Sequence, residues 1–246
     1  MASMENGLYH GADGCKGGWI VAALDYGRLR FERYDTIGDI IGEYPSFDVF
    51  LIDMAIGLRS NTLQERPDDS ARKELGIRAS TIFSVPTRDA VYADSEERQK
   101  ESNLRALGKS LSKQTINIIP KIREVDEFMA AFPQYKNRIL ESHPELDFSR
   151  LKGSAILSRK KKAAGMEERI GILTDYLPAG ALGNVKAKAK ELKCNLDDLV
   201  DAVCLAVTAA LNAPGLCETI PENPQADERG LYMQMLIPKR AIKKGD

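Results

Sequence analysis

The apolar positions change period several times along the chain. Leu8 to Asp13 reads as a short strand stopped by Gly14, and Gly17-Gly18 reads as a turn. Trp19 to Leu24 is a second strand, and Asp25-Tyr26-Gly27 marks a hairpin leading to a third at Leu29 to Tyr34. Thr36 is placed to cap a helix over Ile37 to Tyr44, with Ile37, Ile40 and Ile41 on one face. Phe47 to Asp53 is a continuous apolar run, the pattern of a strand buried on both faces.

The middle of the chain is polar and helical. Ser95 to Leu107 and Lys113 to Ala131 are the stronger segments, with Pro120 set to kink or split the second. Arg138 to Ser142 reads as a fifth strand, followed by helices at Arg159 to Leu173 and Val185 to Lys193. Leu196 to Leu211 has the clearest amphipathic period, through Leu196, Leu199, Val200, Val203 and Val207. The order predicts an α/β fold: a mixed five-stranded sheet flanked by helices. A helical insertion, about residues 59–134, separates the fourth and fifth strands within a single domain.

Composition narrows the class. The 246 residues carry 35 Lys and Arg against 36 Asp and Glu, and 43% are hydrophobic, as in an ordinary globular protein. The net charge of −1 excludes a protein that coats nucleic acid by bulk charge. Four scattered cysteines and two histidines offer no zinc spacing, and no apolar run reaches membrane length. The polar start lacks a signal peptide's apolar region, so a cytoplasmic protein with no membrane contact is expected. Charge is unevenly spread, however. Residues 150–193 hold 11 basic and 4 acidic side chains, a net of +7, densest at Arg159 to Lys162. Such a stripe suits a polyanion backbone, and equally a solvated helix face.

Candidate chemistry lies in carboxylates at element ends. Asp13 closes the first strand and Asp53 the fourth; as parallel neighbours, these strands would bring both acids to one sheet edge. Asp198 and Asp201 lie three apart on the last helix and share a face. Converging carboxylates repel unless a cation joins them, and oxygen donors suit Mg²⁺ or Mn²⁺. Structural readings stand beside this one. Asp13-Gly14 also fits a turn, Asp53 an Asx turn, and Asp198 the third helical position behind an Asn195 cap. Asp201, among apolar neighbours past the first turn, resists such a reading best.

The order β-β-β-α-β, with acids on the first and fourth strands and Asp198-Leu199-Val200-Asp201-Ala202 on a late helix, resembles the RNase H-like fold and its Holliday-junction resolvases. More closely, the chain resembles the predicted RNase H-like nucleases catalogued as domain of unknown function 429. Gly11 to Trp19, Ile52 to Leu58, Ser84 to Arg88 and Glu141 to Glu145 carry the likeness. So do Gln114, Lys121 to Asp126, Ser158 to Lys161 and Asp197 to Ala202. It runs from about Gly11 to Leu211, and Ala55 departs from the family pattern where proline is expected.

The resemblance implies a nuclease that hydrolyses phosphodiester bonds by a two-metal mechanism. Asp13, Asp53, Asp198 and Asp201 would hold Mg²⁺ or Mn²⁺, and Lys16 and Lys161 would position phosphates. Glu141 joins as a further ligand and His143 as a proton shuttle or phosphate contact; alternatively, Ser142 or His143 opens the helix behind Pro144. Arg66, Arg78 and Arg88 offer phosphate clamps or structural ion pairs. The implied partner is nucleic acid, DNA or RNA, and a homodimer is admitted because many resolvase-like enzymes act as dimers. Two other readings remain open: an actin-like nucleotide-binding phosphotransferase, suggested by the turn at Asp13 to Gly18, and a non-catalytic nucleic-acid-binding protein of the same fold.

Overall fold

The computed structural model describes residues 6–240. The chain opens with β1 (Leu8–Cys15), β2 (Gly18–Asp25) and β3 (Arg28–Tyr34), an antiparallel meander. Gly14 does not stop β1; it pairs with Trp19, and the ladder closes at Cys15 opposite Gly18. The second hairpin turns through Tyr26 and Gly27, both with positive φ (49° and 77°), as a two-residue loop of the twist-matched kind needs. Helix α1 (Ile37–Glu43) is capped by the expected Thr36, whose hydroxyl accepts from the Asp39 N–H while the Asp39 carboxylate accepts from the Thr36 N–H. Strand β4 (Val49–Ile52) then pairs parallel with β1, Ala12 opposite Ile52.

Between β4 and β5 (Ile139–Glu141) the chain is helical: α2 (Pro67–Leu75), α3 (Arg88–Tyr92), α4 (Glu96–Leu107) and α5 (Lys113–Ala131). Helix α5 runs unbroken through Pro120, which stands on its exposed side, where the carbonyl one turn earlier can turn to water. After β5, parallel to β4, come α6 (Pro144–Lys152), α7 (Ala163–Thr174), α8 (Val185–Glu191) and α9 (Leu196–Asn212).

Two further strands, β6 (Cys217–Ile220) and β7 (Met235–Pro238), correct the expected five. The sheet has seven, in the order β3-β2-β1-β4-β5-β7-β6. Each added strand has four residues and ends at or beside a proline, too short for an alternation to register.

The chain divides into two compact units. The first holds residues up to 53, 137–218 and those from 236; the second holds 54–136 and 219–235. In the first, α9 packs on β1, β2 and β4. Tyr9 and Cys15 of β1, Leu51 of β4 and the whole buried side of α9 share one core cluster. That parity puts Gly11, Asp13 and Asp53 on the α9 face of the sheet. His10 faces the other way, against Tyr44, Phe47 and Phe50, with Nε2 2.8 Å from Asp25 Oδ1.

The second unit is braced by buried ion pairs. Arg66 Nε meets Asp68 at 2.9 Å with both side chains fully buried. Arg88 bridges Asp126 and Asp227, and Arg229 and Tyr92 both reach Asp126 Oδ2 at 2.7 Å. Arg66 and Arg88 are therefore structural partners of carboxylates and not phosphate clamps.

Candidate functional site

The site is built on one face of the first unit, where the C-terminal ends of β1 and β4 meet the N-terminal half of α9. Register sets Asp13 and Asp53 side by side, each one residue past the Ala12–Ile52 pair, and the Asp53 N–H donates to the Ala12 carbonyl at 3.0 Å. Above them, α9 comes unusually near the sheet. A Cβ on Gly11 would lie 2.2 Å from the Ala202 carbonyl oxygen and 2.4 Å from the Ala206 nitrogen, so only glycine permits this approach. The contact sets the N-terminal half of α9, with Asp201, over the C-terminal end of β1, with Asp13. Asp13 and Asp201 are buried, and Asp53 is half-buried.

Three neighbouring acids in a dry setting need a countercharge. Lys160 supplies one: its Nζ lies 2.6 Å from Asp201 Oδ2. Asp201 Oδ1 is buried with no hydrogen-bond partner. Burial pushes the Asp201 carboxyl up to about 7; Lys160 opposes the shift, and Asp53 and Glu145 add to it. Burial also raises Asp13 well above the carboxylate range, reinforced by Asp53, Asp201 and Asp198 and opposed by Lys160. For Lys160, burial works toward a lower value, but Asp201, Asp13 and Asp53 outweigh it and the net shift is upward.

A measurable consequence follows from Asp201. A carboxyl titrating near 4 in the unfolded chain and near 7 in the folded one binds its proton more tightly when folded. Stability therefore falls as pH rises across that window. Urea midpoints should drop between pH 5 and pH 8, and the drop should be smaller in Asp201→Asn. An equal drop in parent and variant would rule out this assignment.

The remaining sequence candidates separate. Asp198 is half-buried and completes a capping box: its Oδ2 accepts from the Asn195 side-chain amide at 3.0 Å and from the Asn195 N–H at 3.4 Å. Its carboxyl is raised by burial and by Asp197, and lowered by those bonds. Glu141 pairs with Ile52, so strand parity turns it to the face opposite Leu51 and Asp53, although it is buried. His143 occupies the N-cap of α6 without a side-chain capping bond, and its Nδ1 is buried with no partner. Lys161 and Lys16 are exposed; Lys16 contributes its carbonyl to Arg33 Nη2 at 2.9 Å. The lysine at the acids is Lys160, one residue from the expected Lys161.

Two buried acids of α6 escaped the sequence reading of the site. Asp147 is fully buried; its Oδ2 accepts from Ser142 Oγ (2.8 Å) and Thr208 Oγ1 (3.1 Å), and burial drives its carboxyl well up, with Asp53 adding. Glu145 is paired with buried Arg169 at 2.6 Å. The available signal was Pro144 at a first helical position, which put both acids in the opening turn of a helix.

A family profile described as Protein of unknown function (DUF429) matches residues 11–226. The chain belongs to this family. The DUF429 match spans every carboxylate of the candidate site and reaches into both units, ending one residue before Asp227. No curated protein and no solved structure matches the chain. Among the described residues, no helix is long and apolar enough to cross a membrane.

Among the described residues, no three His, Cys, Asp or Glu side chains stand grouped as a metal cage. Asp198 faces its own cap, and Lys160 is the countercharge of Asp201. In chemistry, Asp13, Asp53 and Asp201 suit a hard cation: all are oxygen donors, and Asp201 Oδ1 is an unused buried acceptor.

Proposed function

We propose that this DUF429 protein is a divalent-cation-dependent hydrolase of phosphodiester bonds in nucleic acid, with Asp13, Asp53 and Asp201 as the cation-holding carboxylates. One observation carries the reading: three acids, near the C-terminal ends of β1 and β4 and in the N-terminal half of α9, share one face around a single lysine, leaving a buried carboxylate oxygen unpartnered. Asp126 and Asp147 also keep one buried oxygen without a partner, so the adjacency of Asp13, Asp53 and Asp201 is what sets this group apart. The antiparallel meander, the crossover to a parallel β4 and the acid-bearing last helix support an RNase H-like relationship related to the resolvases.

When bound, Mg²⁺ or Mn²⁺ would supply Lewis acidity toward a phosphoryl oxygen. The chain's own residues do the rest. Lys160, one-third exposed, can leave Asp201 to neutralise a substrate phosphate. Arg159, Lys161 and Lys162 are exposed beside it and would track neighbouring phosphates, as Lys16 would in the turn after β1. Asp147, fixed by Ser142 and Thr208, and Glu145, paired with Arg169, add negative charge near Asp53 and Asp201 that favours a bound cation.

The test is hydrolysis by the purified full chain with Mn²⁺ of end-labelled single-stranded, duplex and branched substrates. Cleavage of at least one, reduced about a hundredfold or more in Asp13→Asn, is the expected result. A folded parent inert on all three, or cleavage undiminished in Asp13→Asn, rejects the proposal.

A further inference from the structure

The second unit contains a cleft to which the hydrolytic reading gives no role. A cavity of about 860 Å³ is lined by Arg59, Arg72, Lys73 and Lys109, with Glu65 and Asp69 as its acids. A second cavity of about 340 Å³ shares Arg59, Arg72 and Lys109 and reaches Ser112 and Thr115 at the start of α5; no acid lines it. Both acids of the larger cavity are engaged. Asp69 Oδ2 lies 2.6 Å from Arg59 Nη1, and Glu65 Oε1 accepts from Ser70 Oγ at 3.1 Å. Four cations against two acids leave the lining of the larger cavity with an excess of positive charge.

The decisive group is Arg59. It is only 8% exposed, it lines both cavities, and its Nε is buried with no hydrogen-bond partner. A buried guanidinium N–H without an acceptor is a costly feature that an incoming oxygen ligand would satisfy. Around it the fold presents further anion donors. Helix α5 is 19 residues long, and its first turn opens onto the smaller cavity, with the Ser112 hydroxyl accepting from the Thr115 N–H. Free N–H groups and the positive end of the helix dipole favour an anion there. The loop before it is held in place: buried Asn103 donates to the Lys109 carbonyl at 2.8 Å and accepts from the Thr87 N–H at 3.0 Å. The backbone at Lys109 is thereby anchored, and its exposed side chain lines the larger cavity together with exposed Lys73.

We propose that this cleft binds the diphosphate group of a small ligand of nucleotide size. Two cation pairs, buried Arg59 with Arg72 and exposed Lys73 with Lys109, match two successive phosphates better than one. The larger cavity's volume lies in the range that encloses small organic ligands, which leaves room for more than the anion. All the residues belong to the second unit, so the proposal stands independently of the acids of the first.

Calorimetric titration of the full chain, without divalent metal, tests it with inorganic pyrophosphate and ADP as separate probes. Both should bind. A stronger response to ADP identifies a nucleotide as the natural source, and equal responses identify the diphosphate alone. Lys73→Ala/Lys109→Ala, altering exposed side chains only, should weaken both by about tenfold or more. Arg59→Gln should abolish binding, and Asp13→Asn should leave it unchanged. The proposal is overturned if the folded parent binds neither probe, or if the double lysine variant binds as well as the parent. It is also overturned if Asp13→Asn loses binding, or if a single-stranded oligonucleotide displaces ADP at equal phosphate concentration.

Discussion

Gly11→Val should be the most damaging single substitution in the first unit, lowering unfolding free energy by about 4 kcal/mol or more. Any Cβ at position 11 falls 2.2 Å from the Ala202 carbonyl oxygen, 2.4 Å from the Ala206 nitrogen and 2.7 Å from Leu205 Cβ. Two of those atoms are backbone, so no rotamer change relieves the overlap; α9 must lift from β1. The helix is buried along nearly its whole length in the core cluster, so lifting it exposes apolar surface throughout the unit. Gly42→Ala is the control. Gly42 lies in α1 with nothing within 4 Å of its added Cβ, and a helical glycine replaced by alanine should gain about 0.5–1 kcal/mol. Denaturant midpoints moving in opposite directions would bear out the argument; a neutral Gly11→Val would refute the close approach that sets Asp201 over Asp13.

Asp227→Ala should have the largest effect in the second unit, about 3–5 kcal/mol, the range for breaking a buried ion pair from one side. Its Oδ1 accepts from the N–H groups of Arg229 (2.8 Å) and Leu231 (2.9 Å), and its Oδ2 from the Leu58 N–H (2.9 Å) and from Arg88. Alanine leaves three backbone donors and one guanidinium arm without their acceptor. Asp126 keeps Arg88, Arg229 and Tyr92, so the network weakens without vanishing. Asp227→Asn, which retains an acceptor oxygen, should recover part of the loss. Urea unfolding of both variants checks this, and equal stability of Asp227→Ala and parent would contradict it.

Both predictions depend on pairings that sequence alone showed only in part. The β-β-β-α-β opening was legible because each element has its own signal: alternation in β3, a two-residue turn at Tyr26-Gly27, a capping threonine before α1, and an apolar run for β4. Asp201 was legible because a carboxylate inside an apolar helix has no cheap explanation. Asp198, three residues earlier, shares the same motif but spends its carboxylate on Asn195, the capping role that its third helical position already offered in the sequence. Glu141 shows the limit of alternation when the pairing is unknown: its register with Ile52 decides the face, and register is a long-range fact. Lys160 and Lys161 are indistinguishable in a run of four basic residues. The turn before α7 sends one to Asp201 and the other to solvent. The bracing of Leu58 and Arg88 by Asp227 carried no signal, because both partners are distant in sequence.

The central claim is that Asp13, Asp53 and Asp201 form a cation site. Calorimetric titration of Mn²⁺ into the full chain addresses it most directly, with the double variant Asp13→Asn/Asp201→Asn alongside. The account predicts binding by the parent that the folded double variant loses. Absence of binding by the parent, or equal binding by both proteins, would contradict it.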